Sequence, residues 1–82
     1  MNIYVGNLSF RTDDEELREV FSEFGEVSSA KVVMDRETNR SRGFGFVEMP
    51  KAGEAKIAVK SLNNKTVGGN KIRVKKAQYQ SR

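Results

Sequence analysis

The chain has no cysteine, no histidine and no tryptophan, and Pro50 is its single proline. Without sulfur ligands there is neither a disulfide nor a thiolate metal site. Nucleophile–base pairs built on thiol or imidazole are excluded too, as is proton transfer through imidazole. No apolar run approaches the roughly 18–20 residues that span a bilayer. The opening Met1-Asn2-Ile3-Tyr4 lacks the basic flank and apolar stretch of a secretory leader. The expectation is a soluble cytoplasmic chain with no cofactor, no membrane and no small-molecule substrate. At 82 residues it has room for one modest core.

Charge is present but segregated. Residues 1–30 carry a net −5 and residues 31–82 a net +9, which together give the overall +4. An even spread would serve only solubility, whereas this division points to a basic surface for a polyanion.

Periodicity divides the chain into six elements. Residues 2–6 alternate β-branched and aromatic side chains, as a short strand does. Thr12 and Glu15 have the spacing of a capping box, and Asp13 to Glu16 place negative charge where the helix dipole is positive. This explains the carboxylate cluster without any catalytic role. Leu17, Val20, Phe21 and Phe24 recur at helical spacing, and Gly25 is placed to end the helix in a left-handed conformation. A strand is expected from Val27 to Met34, then a polar loop in which Asn39 accepts positive φ. A third strand, Arg42 to Met49, is closed by Pro50. Ala55, Ala58, Val59 and Leu62 form the inner stripe of a second helix that leaves Ile57 outside. Lys71 to Lys76 is the last strand, with Ile72 and Val74 inward. The order is βαββαβ: an α+β, ferredoxin-like sandwich, with two helices on one face of a four-stranded antiparallel sheet. Strands one and three lie side by side at its centre.

Folding does not account for the other face. Ile3 and Val5 must point at the helices, so Tyr4 points away. Val47 and Met49 take the helix side with Gly43 and Gly45, whose missing side chains would let helices approach closely. That sends Arg42, Phe44, Phe46 and Glu48 to the uncovered face. Fully burying one Phe is worth about 1.5–3 kcal/mol, so stability alone would not leave three rings outside a small core. By the same parity Lys31 and Val33 join them from strand two, and Lys71, Arg73 and Lys75 from strand four. Flat rings bordered by cations suit a single-stranded nucleic acid, whose bases stack and whose phosphates pair. A duplex suits them poorly, because its bases are already stacked.

Ile3-Tyr4-Val5-Gly6-Asn7-Leu8 resembles the hexamer, and Arg42-Gly43-Phe44-Gly45-Phe46-Val47-Glu48-Met49 the octamer, of the RNA recognition motif. The likeness runs from residue 2 to about residue 78, giving a domain of 1–78 and a short tail of 79–82. Its compactness is similar to that of short stand-alone RNA-binding proteins of bacteria. The resemblance implies that Tyr4 and Phe44 stack successive bases, Phe46 sits against sugars and Arg42 pairs with a phosphate. Asn7 would make a polar contact, and Lys75 and Ala77 would read a base edge at the end of strand four. Met49 replaces the usual final aromatic on the core side. Asn39 and Asn64 replace glycines, Asn70 replaces a common arginine, and Glu48 adds a negative charge to the rim. The implied function is non-catalytic binding of single-stranded RNA by a monomer, in post-transcriptional regulation. Two alternatives stay open: single-stranded DNA, since stacking does not see the 2′-hydroxyl, and a protein partner. On this reading only Gln78 to Arg82, including Tyr79, could fold over the rings.

Overall fold

The structure, a computed structural model, describes residues 1–77. The expected tail 79–82 and Tyr79 lie outside the described residues. Eight elements follow in order: β1 (Asn2–Gly6), α1 (Asp14–Ser22), β2 (Ser29–Met34), β3 (Ser41–Glu48), α2 (Ala52–Leu62), β4 (Thr66–Val67), β5 (Asn70–Lys71) and β6 (Arg73–Lys76). The main sheet is antiparallel in the order β2-β3-β1-β6, with β1 and β3 central as expected. Helix α1 packs on β2 and β3, and α2 on β6. Between helices and sheet lie Ile3, Val5, Val47 and Met49 from the strands and Leu17, Phe21, Ala55, Ala58 and Leu62 from the helices. Met49 is fully enclosed, so its departure from the family's aromatic alters packing and leaves the open face alone. Ile57 stays exposed on the outer side of α2.

Local details correct several expectations. The cap of α1 is Asp13, whose carboxylate accepts the Glu16 N–H at 2.9 Å. Thr12 is buried and its N–H bonds Ser9 O, so it is held by the preceding turn rather than free to cap. The helix ends at Ser22, before Gly25. Gly25 does take a positive φ, 156°, three residues beyond that end, and it also supplies space: a side chain there would collide with Glu54 of α2, whose Oε1 accepts the Glu26 N–H at 3.0 Å. Asn39 and Asn64 adopt positive φ as expected, at 60° and 70°, and Asn7 does so too, at 57°.

The last strand is also broken in two. Ile72 donates its N–H to Lys65 O, and its C=O accepts from Asn64 N–H, so its backbone is committed to the turn after α2. The residues before it pair with β4 through the Gly68-Gly69 turn, where both glycines have positive φ. Lys71 therefore belongs to this small ribbon. Only Arg73 to Lys76 continue the main sheet.

Candidate nucleic-acid interface

Directly opposed residues of antiparallel strands share a face, so the register defines the surface row by row. The middle row crosses all four strands as Lys31, Phe46, Tyr4 and Lys75. Beside it, Gly6 separates Phe44 from Arg73, and on the other side Asn2 separates Glu48 from the β6 end, where Ala77 N–H bonds Asn2 O at 2.9 Å. The three rings form one cluster. Their centroids are 6.0 Å apart for Tyr4–Phe44, 5.8 Å for Tyr4–Phe46 and 6.2 Å for Phe44–Phe46. Tyr4 and Phe44 are tilted by only 31°, whereas Phe46 stands edge-on to both. Phe46 is 38% exposed, and Tyr4 and Phe44 are half-buried. Lys75 Nζ lies 5.5 Å from the Tyr4 centroid, a cation–π contact that fixes a positive charge at the platform's rim.

A glycine explains how Tyr4 lies down. A Cβ at Gly6 would come within 2.7 Å of the Tyr4 hydroxyl oxygen and 2.9 Å of Cε2, so the ring rests across the bare backbone two residues on. In the sequence Gly6 belongs to the first strand and to the hexamer; an aromatic followed two positions later by glycine on the same strand face is the signal for its place under the ring. Gly6→Ala is expected to lift the ring from this position. Because the obstructed atoms are the mobile end of a side chain, stability should change by no more than about 1 kcal/mol. Loss of Tyr4–Phe44 ring-to-ring contacts in proton NMR, with a near-normal melting curve, is the expected result.

The other expected site residues are placed unevenly. Arg42 is exposed at the start of β3, and Val33 is half-buried where the β2–β3 register shifts. Lys31 lies in the middle row, but its ammonium reaches Asp14 at 3.9 Å across the sheet edge. Both groups are well exposed, so the pair is weak and the ammonium is readily released. Lys71 is exposed but off the sheet, as described above. The Asn7 amide donates from Nδ2 to Lys71 O at 2.8 Å, while Asn70 Nδ2 donates to Asn7 O at 3.3 Å. These two asparagines fasten the end of β1 to the small ribbon, a structural task that the expected ligand contact did not include. Gly45 and Gly43 face away from the rings as expected, but not to admit helices. Gly45 lies against the β2 backbone and Gly43 against Phe10 and Leu8 O.

Among the described residues no three acidic side chains converge as a metal site would require. No helix among them is long and apolar enough to cross a membrane.

The RNA recognition motif profile matches residues 3–73. The chain belongs to this family. It is 50% identical over 80 residues to the 28 kDa chloroplastic ribonucleoprotein of Nicotiana sylvestris, covering 98% of this chain and 29% of that protein. With the mitochondrial glycine-rich RNA-binding protein 2 of Arabidopsis thaliana it shares 48% identity over 75 residues, 92% of this chain and 48% of the relative. The chain thus spans less than half the length of either. The crystal structure of RNA binding protein PG1 superposes with a TM-score of 0.94 at 46% identity, covering 100% of this chain and 99% of that one. The cytoplasmic expectation is overturned by these comparisons, because the curated relatives are named as chloroplast and mitochondrial proteins. The likeness to short bacterial proteins finds no support among them either.

Proposed function

We propose that residues 1–78 form a monomeric, non-catalytic module that binds single-stranded RNA on the open sheet face, in post-transcriptional regulation. The observation that carries this reading is the cluster of Tyr4, Phe44 and Phe46 on adjacent central strands, uncovered by either helix, with Tyr4 and Phe46 in a row that ends in lysine on both sides and Phe44 in the row beside it. Two or three bases stack on the rings, and Arg42, Arg73 and Lys75 meet the phosphates. Glu48, at the other end of the cluster, repels phosphate and accepts from a base amino group. Everything the platform needs comes from one copy. RNA is preferred over DNA because the relatives are named as ribonucleoproteins and RNA-binding proteins. For a short oligonucleotide the affinity should be on the order of micromolar, about −8 kcal/mol.

A salt titration tests this directly. Three phosphate contacts imply a log–log slope of the association constant of about −2 on a single strand. Fluorescence anisotropy with a labelled oligoribonucleotide should return that slope, and annealing the oligonucleotide to its complement should remove most binding. A flat salt response, or equal affinity for the duplex, would reject the assignment.

A further inference from the structure

Phe10 is 75% exposed, the most exposed large apolar side chain among the described residues. It sits in the loop between β1 and α1, and the loop's apolar anchor is elsewhere, since Leu8 is only 3% exposed. The ring is propped rather than free: a Cβ on Gly43 would lie 3.3 Å from Phe10 Cε1, so one edge rests on the bare β3 backbone. Two surface clefts meet at this ring and share Phe10, Arg11 and Arg42 as walls. One continues past Asn7 and Asn70, and the other passes Met34 and Arg40 beside the β2–β3 connection.

The charge around the ring has one sign. Arg11, Arg40 and Arg42 line the clefts, and the single carboxylate there, Asp35, uses Oδ1 to accept the Glu37 and Thr38 N–H groups at 2.8 and 3.3 Å. The one ion pair among the described residues is Lys31–Asp14, which involves none of these arginines. The guanidinium groups therefore surround an aromatic face without a carboxylate partner of their own. Arg42 connects this patch to the platform: it lines both clefts and stands two residues before Phe44 on β3, at the point where the register with β2 shifts.

We propose that Phe10, with Arg11, Arg40 and Arg42 around it, forms a further nucleotide subsite at the loop end of the sheet, stacking one base of the same single strand that crosses the three-ring platform. The inference rests on the RNA-binding reading above and extends its footprint beyond the open face. Arg42 is the hinge of the path, meeting the phosphate between the Phe44 base and the Phe10 base.

Oligouridylates of three and seven nucleotides separate the two sites, because the platform holds two or three bases and only the longer strand reaches the loop. Phe10→Ala should weaken the seven-nucleotide strand roughly tenfold and leave the three-nucleotide strand unchanged. Phe10→Tyr should bind both like the natural chain. Amide shifts at Phe10 and Arg11 should appear with the longer strand alone. Arg11→Gln should reduce the salt slope for that strand by about 0.7. If Phe10→Ala leaves the longer strand within twofold while loss of Phe44 and Phe46 abolishes binding, the subsite is rejected and the platform stands. Equal weakening on both lengths also rejects it, since the ring would then act through the fold. If neither Phe10 nor the Phe44/Phe46 pair affects RNA binding, the functional reading itself falls.

Discussion

Replacing Phe44 and Phe46 together with alanine is expected to lower affinity for single-stranded RNA by roughly two orders of magnitude, with the fold retained. Each base stacked on an aromatic contributes about 1–3 kcal/mol, and two of the three platforms would be gone. The fold survives because the core lies on the other face, where Ile3, Val5 and Val47 are at most 1% exposed. What the folded state loses is the contact among the rings, worth about 1 kcal/mol beyond area burial. The single substitutions should not sum to the double one. Phe44 and Phe46 meet edge-on at 6.2 Å and 87°, and each also touches Tyr4, so removing one loosens the other two. Anisotropy titrations of the two single variants and the double variant, beside thermal melts of each, give both readings. Undiminished affinity in a well-folded double variant would mean that RNA, if bound, goes elsewhere.

The rings were legible in the sequence because a strand alternates strictly. Ile3 and Val5 have only one sensible destination in a chain this small, and fixing them fixes Tyr4. Val47 does the same for Phe44 and Phe46, and the observed register sets Tyr4 opposite Phe46. Where neighbours compete for one role, local pattern does not decide. Thr12 and Asp13 are both good helix caps, and the choice follows from Thr12 being enclosed by the preceding turn. Ile72 points inward as its parity requires, yet its backbone is claimed by Asn64 and Lys65, a partnership between residues far enough apart in sequence that no strand pattern signals it. Lys71 leaves the sheet for that reason. Phe10 falls in a loop, and loops have no period from which to infer a face. An aromatic–arginine pair in a loop next to a basic strand end was the available sign.

Gly45→Val is expected to be the most disruptive single change on β3, and its effect should be felt on β2 first. A Cβ at Gly45 would press on Lys31 O and come within 3.0 Å of Val32 Cα. Both obstacles are backbone, so no rotamer change relieves them and β2 itself must move outward. That movement strains what secures this edge strand: its ladder with β3, and the Val32 N–H bond to Asp14 Oδ1 at 2.7 Å, which ties the strand to the start of α1. Overpacking of this kind costs about 1–3 kcal/mol, and the upper end applies where the obstacle is main chain. In a domain this small that is a fall in melting temperature on the order of 15 °C. Hydrogen exchange shows where the cost is borne. Amides of Lys31 and Val32 should lose protection well before those of β1, because β2 is an edge strand and can detach while the central β3–β1 pair holds. Lys31 would leave the middle row with it, so RNA affinity should drop in the variant even at temperatures where the rings remain ordered. A variant that melts within a few degrees of the natural chain, with β2 amides still protected, would show that the sheet has room at Gly45 that this geometry denies it.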